Sequence, residues 1–217
     1  MTNFIITESP KTREELVADK LRQAILVGHF KPGEKLDQGA ISRQFSVSLS
    51  PVREAIRTLA AEDLVRMYPH RGVVVAELSI SQLKELHEIR GMLEGAAAKK
   101  AVPHLTREKI AKLQTILDTA DATAEGDTEK LQALNHEFHQ TIYTACEQSE
   151  TLKLILQLRN KVAPYIRLYL DAGLRETAWT AHRKIFEACK KGDAEKAELE
   201  TRKHLAQVCE GILKSLE

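Results

Sequence analysis

Apolar residues recur at positions 17, 21, 24, 25 and 27, the three-and-four spacing of one face of an α-helix, and predict a helix over Leu16 to Val27. Gly28 follows where helix ends favour glycine. Lys31-Pro32-Gly33-Glu34 then reads as a tight turn. A second, short helix is predicted from Asp37 to Phe45, with Ala40, Ile41 and Phe45 inward. A third carries Val52, Ala55, Ile56 and Leu59 on one side and Arg53 and Arg57, four residues apart, on another. Pro51 falls in its first turn, where a missing N–H removes no hydrogen bond. Val65-Arg66-Met67 and Val73-Val74-Val75-Ala76 are β-prone runs around Tyr68-Pro69-His70-Arg71-Gly72, the pattern of a hairpin. Three helices and a hairpin with a basic tip predict a winged helix-turn-helix.

The pattern changes at Glu77-Leu78-Ser79, which divides the chain into predicted domains at residues 1–78 and 79–217. Beyond it helical periodicity is almost continuous. Ser79 caps a helix to about Val102, with Leu83, Leu86, Ile89, Leu93, Ala96 and Ala97 on one face, and Pro103 stops it. Further helices are predicted from Thr106 to about Ala124, Asp127 to Cys146, Glu150 to Leu170, Arg175 to Lys190 and Asp193 to Ser215. Pro164 is expected to kink or divide the fourth of these six. The predicted fold class is therefore mainly α: a winged helix-turn-helix followed by an all-α antiparallel bundle of six to seven helices.

Composition narrows the function. The 217 residues are 43% hydrophobic and 29% charged, as in ordinary globular proteins, and suffice for two cores. No apolar run is long enough to span a bilayer, and the MTNFIITESPK start lacks the basic and apolar segments of a signal peptide. The expected location is the cytoplasm, without membrane partners. Cys146, Cys189 and Cys209 have no metal or redox spacing and read as reduced, structural thiols. A net charge of +1 argues against general polyelectrolyte binding. Between residues 38 and 72, Arg43, Arg53, Arg57, Arg66 and Arg71 outnumber Glu54, Glu62 and Asp63 by two. So modest an excess calls for two copies acting together, a homodimer on a two-fold double-stranded operator.

Two groups of residues carry candidate chemistry. In the third helix, free N–H groups at a polar N-terminus suit phosphate, and arginines on the outer face suit guanine edges; the alternative is a solvated surface on a protein-binding module. In the bundle, Asn135 and His139 lie at i and i+4 on one helix face, while His182 and His204 sit beside apolar stripes on two other helices. Three inward imidazoles from three helices suit a metal if they converge; otherwise each is a hydrogen-bonded core histidine.

At this point the chain resembles a known family. LVADKLRQAILVGHFKPGEKL, VSLSPVREAIRTLAAEDLV and RGVVV are similar to the DNA-binding domain of GntR transcription regulators, over roughly residues 10 to 78. The resemblance implies DNA contacts from Arg43, Ser48, Ser50, Arg53, Arg57, Arg71 and Gly72. Leu49 departs from the family, which often has arginine before the Ser-Pro pair; a base or phosphate contact usual there has no arginine to make it. EIRGMLEGAAAKKA, NHEFHQTIY and AHRKIFEACKKGDAEKAELETRKHL resemble the FCD effector-binding domain of the FadR-type subfamily, over roughly residues 79 to 215. That resemblance implies a divalent metal held by Asn135, His139, His182 and His204, with zinc the first expectation and nickel or manganese the alternatives.

Asn135 stands where aspartate is common in the subfamily, so three imidazoles and an amide leave the ion's charge uncompensated and favour an anionic ligand. A small carboxylate effector is therefore expected, anchored by Arg90 and, more weakly, by Arg167 with Tyr165 and Tyr169. The alternative for Arg90 is a surface salt bridge to Glu94 at i+4. His87, His104 and His136 read as surface or packing residues. The expected function is a ligand-responsive DNA-binding regulator, a repressor as most such relatives are. The alternatives are a regulator answering to metal alone, and a metal-dependent hydrolase. Catalysis is disfavoured because the nearest general base, Glu137, lies off the face of Asn135 and His139.

Overall fold

The computed structural model describes residues 11–69, 72–124, 126–171 and 173–216. It has two compact units, the first ending at Glu77 and the second beginning at Leu78.

In the first unit, α1 (Arg13–Leu26), α2 (Gln38–Gln44) and α3 (Leu49–Ala61) share one apolar core with a three-stranded antiparallel sheet. The helix start lies three residues before the predicted one because Thr12 and Glu15 form a capping box, each side chain accepting from the other's backbone N–H. Gly28, at φ +73°, ends it as expected. Asp37 caps α2 by accepting from the N–H groups of Gly39 and Ala40. Ile41 is buried, Phe45 half-buried and Ala40 exposed. Ala40 was expected inward, but it lies about 100° round a two-turn helix from Ile41, which faces the core with Phe45 packed against the same cluster. In α3, all four residues expected inward are buried: Val52, Ala55, Ile56 and Leu59.

The wing pairs β2 (Val65–Tyr68) with β3 (Gly72–Val75), Val65 opposite Val75 and Tyr68 opposite Gly72. β1 (Lys35–Leu36) adds to the other side of β3, giving the order β1-β3-β2. Two residues are too few to show an alternating pattern, so β1 had no signal in the sequence.

The second unit holds α4 (Ile80–Ala101), α5 (Arg107–Ala122), α6 (Thr128–Tyr143), α7 (Ser149–Asp171), α8 (Arg175–Lys190) and α9 (Ala194–Ser215), with 3₁₀ turns after α4 and α6. Its most extensive helix pairing is α4 with α9. Of the kink or division expected at Pro164, the division does not occur: α7 runs through it as one helix. Gly211 lets α9 approach α7, since a Cβ there would overlap the Tyr169 ring. No described helix is long and apolar enough to cross a membrane. All three cysteines are buried and free.

The α4 face differs from the expected one. Leu83 and Ala97 are buried and Leu86 and Leu93 half-buried, but Ile89 and Ala96 are exposed. The inward positions are instead taken by Leu83, His87, Arg90, Glu94, Ala97, Ala98 and Ala101. These also follow a three-and-four spacing, and the polar members are accommodated because Arg90 and Glu94 pair within the core.

Candidate functional site

Two places gather chemistry. The first is the outer side of α3. The four buried apolar residues fix its orientation on the core and leave Arg53 and Arg57 exposed. Ser48, Leu49 and Ser50 are exposed at its start, and the Ser48 hydroxyl makes no capping hydrogen bond, leaving the first N–H groups to an external acceptor. Arg57 pairs with Glu54 at 2.8 Å, an exposed contact that another anion can replace at small cost. Arg43 is exposed on the last turn of α2. Gly72 opens β3 at φ +87°, a left-handed conformation that favours glycine and shapes the wing. Arg71 lies outside the described residues.

The second place is the centre of the bundle. His139 of α6, His182 of α8 and His204 of α9 are all buried, and their ligand nitrogens lie within 4.8 Å of one another. The Nε2 atoms of His139 and His182 are 3.0 Å apart. Burial, first of all, drives each of the three rings below the ordinary histidine value. For His139 the Arg159 charge adds to this, for His182 the neighbouring His204; His204 is brought down to about 3. Three neutral imidazoles therefore offer lone pairs at pH 7. Asn135 sits one turn before His139, half-buried.

These residues suit a divalent metal. Two nitrogens each about 2.1 Å from one ion are about 3.0 Å apart at a right angle and about 3.4 Å apart in a tetrahedral site, so the 3.0 Å spacing is close to what one shared ion requires. Without an ion, one of the two Nε2 atoms must carry a proton toward the other. If that is His182, its Nδ1 is left as an acceptor. The Ala178 carbonyl interacts with this ring, yet no well-formed hydrogen bond reaches Nδ1. A ligand on Nε2 would move the proton to Nδ1, where a carbonyl favours it. His204 Nδ1 is likewise buried without a hydrogen-bond partner among the described residues.

A buried ionic cluster adjoins the histidines. Glu94 is fully buried and accepts from Arg90 Nε at 2.7 Å, Tyr143 Oη at 2.8 Å and Arg159 Nη1 at 3.0 Å. The Tyr143 hydroxyl also meets His139 Nδ1 at 3.0 Å. Burial pushes the Glu94 carboxyl up, but the two guanidinium charges and these hydrogen bonds outweigh it and hold it below the ordinary carboxylate value. Burial and the Glu94 charge push the Tyr143 phenol well above its usual value. Arg90 Nη1 and His87 Nε2 are buried without hydrogen-bond partners among the described residues.

Arg90 thus does pair with Glu94, as its alternative reading had it, but in the core rather than at the surface. Arg167 is not part of this cluster: half-exposed, it pairs with Asp171 at 3.4 Å. Tyr165 accepts from the backbone N–H of Leu78, and Tyr169 packs where α9 has Gly211. Glu137 is directed to Lys112 at 2.8 Å. His87 is buried and half-satisfied by the Leu83 carbonyl. Sequence reasoning missed Tyr143 and Arg159. Tyr143 had a signal, since Asn135, His139 and Tyr143 continue one stripe at steps of four; Arg159 had none.

A winged-helix unit with an exposed arginine-bearing helix, joined to a helical unit with a polar buried centre, defines a DNA-binding transcription regulator. Comparison with known proteins makes the class specific. Residues 13–75 match the bacterial regulatory proteins of the gntR family, and residues 85–207 match the FCD domain. The transcriptional regulator YdhC of Bacillus subtilis is 29% identical over 92% of this chain and 90% of its own. The transcriptional repressor RspR of Escherichia coli is 27% identical over 88% of this chain and 85% of its own. The solved structure of E. coli McbR/YncC superposes with a TM-score of 0.85 at 26% identity, covering 96% of this chain and 100% of that one. The chain belongs to the GntR family of transcription regulators, in the branch that carries an FCD domain. Its relatives are regulators of transcription rather than enzymes.

Proposed function

We propose that this regulator is a homodimeric repressor released from its operator by a small carboxylate bound beside a divalent metal. The observation that carries the reading is the convergence of three buried, neutral imidazoles from three helices next to an arginine whose Nη1 has no hydrogen-bond partner among the described residues. Asn135, His139, His182 and His204 would hold the ion, which supplies a Lewis-acidic position for a carboxylate oxygen. Arg90 Nη1 would take the other oxygen by a charge-assisted hydrogen bond. Arg167, which faces Asp171, has no such support.

On the DNA side, Ser48, Ser50 and the start of α3 would meet phosphate, Arg53 and Arg57 would read base edges, and Arg43 and Arg71 would flank them. Dimerisation draws support from an apolar stripe on α4, where Ile89 is 37% and Met92 52% exposed. A ligand that favours one arrangement of the two subunits changes the spacing of the two recognition helices, which must fit half-sites about 34 Å apart per helical turn.

The test is metal content with operator affinity. Purified, dialysed protein should hold about one divalent ion per chain, lost in His139→Ala. A panel of small carboxylates should weaken operator binding by the wild type and leave the His139→Ala protein unaffected. Operator affinity that follows free metal with no carboxylate would instead make the ion the signal. Affinity unchanged by both would end the switching proposal.

A further inference from the structure

Asn135 gives the metal site no negative charge of its own, yet a carboxylate lies two hydrogen bonds away. Glu94 Oε2 meets the Tyr143 hydroxyl at 2.8 Å, and that hydroxyl meets His139 Nδ1 at 3.0 Å. We infer that Glu94, acting through Tyr143, is a positioning residue that fixes the tautomer and orientation of His139 and brings a negative charge to the metal site. The inference rests on the metal site proposed above.

The direction of the chain of protons follows from the partners. An ionised carboxylate can only accept, so the proton between Tyr143 and Glu94 belongs to the tyrosine. The tyrosine oxygen is then left to accept from His139, whose proton must sit on Nδ1. The lone pair of His139 is thereby placed on Nε2, the atom 3.0 Å from His182 Nε2. The opposite arrangement, with Tyr143 donating to His139, would set two oxygen acceptors 2.8 Å apart in the core with no hydrogen between them. Glu94 is itself immobilised by Arg90 Nε on its own helix and Arg159 Nη1 on α7. Three helices thus hold one imidazole in one protonation pattern before any ion arrives. A histidine–carboxylate contact is the usual means of fixing a ligand's tautomer, and here a phenol relays it.

The test uses full-length wild type, Tyr143→Phe and Glu94→Gln, each stripped of metal. Long-range ¹⁵N–¹H spectra of the imidazoles, with His139 assigned by its absence in His139→Gln, read the tautomer. Competition with a chromophoric chelator reads Zn²⁺ affinity. Wild-type His139 should carry its proton on Nδ1. Tyr143→Phe should shift it toward the Nε2–H form or a mixture, and weaken Zn²⁺ about 10- to 100-fold. Glu94→Gln, whose amide oxygen can still accept from Tyr143, should keep the Nδ1–H form but weaken Zn²⁺ by loss of the charge, so its Zn²⁺ affinity decides whether the carboxylate charge reaches the site if Tyr143→Phe does not fold. An unchanged tautomer with Zn²⁺ affinity within about twofold of wild type would overturn the relay. If wild type binds no Zn²⁺, the metal reading fails on its own, and the tautomer decides: a shift in Tyr143→Phe supports the positioning role and an unchanged tautomer overturns it.

Discussion

Acid should unfold the metal-free bundle at a higher pH than its carboxylates alone would set. Burial holds His204 at about 3 and His87 at about 4, while an unfolded histidine titrates near 6.5. Both folded values are depressed, so the unfolded chain binds the extra protons. The stability of the neutral rings is complete above about pH 6.5 and is lost as pH falls below it, the loss levelling off near each folded value. From pH 7 to pH 5, each of these two rings costs about 2 kcal/mol, together about 4, out of the 5–15 typical of a domain. His139 and His182, lowered by burial in the same way, add to the loss. Glu94, lowered below its unfolded value, loses its contribution only at more acid pH, outside this window. The assay is urea unfolding with a chelator present, read by fluorescence of Trp179, the chain's single tryptophan, which lies 4.7 Å from His182 between ring centres. His87→Gln, which touches no proposed metal ligand position, should remove about 2 kcal/mol of the pH dependence. A wild-type unfolding free energy that changed by less than about 1 kcal/mol between pH 7 and 5 would refute the reasoning.

Three further outcomes are expected. Arg53→Ala should weaken specific operator binding by about 1–3 kcal/mol in a fluorescence titration, while Arg57→Ala, whose guanidinium is shared with Glu54, should cost less. Equal affinity of Arg53→Ala for operator and wild-type levels would remove Arg53 from base reading. Gly211→Ala should destabilise the bundle by about 1–3 kcal/mol through overlap with Tyr169, lowering its melting temperature; an unchanged melt would mean that the ring moves aside freely. Met92→Glu should shift the protein toward monomer in sedimentation, and an unchanged dimer would move the interface off this face of α4.

What could be read from the sequence depended on how well hydrophobicity reported burial. In α3 the two coincide, and Val52, Ala55, Ile56 and Leu59 identified the inner face and hence the outer one with Arg53 and Arg57. In α4 they part: Ile89 and Met92 face outward while His87, Arg90 and Glu94 face in, so hydrophobicity pointed partly to the wrong side. The histidines were legible as a set through the resemblance to the FCD domain; their mutual approach was not, since it depends on the packing of α6, α8 and α9. Arg159 was illegible for a related reason. An arginine in a helix is usually solvated, and only the position of Glu94 on another helix makes its burial tolerable. Pro164 does not divide α7 although an interior proline costs a helix about 3 kcal/mol in isolation, because α7 is held by its neighbours in the bundle.

The partnerless atoms at the centre of the bundle have a meaning for the lifetime of the protein. Among the described residues, His87 Nε2, Arg90 Nη1 and His204 Nδ1 are withdrawn from bulk water without a hydrogen bond in return, and each such atom lowers the resistance of the fold to opening. Anything that satisfies them binds the folded chain alone and stabilises it in proportion to its concentration. Proteases act on the opened chain, so an occupant of this centre would slow the clearance of the regulator. The same groups that would sense a metabolite would then also govern how many copies of the sensor persist.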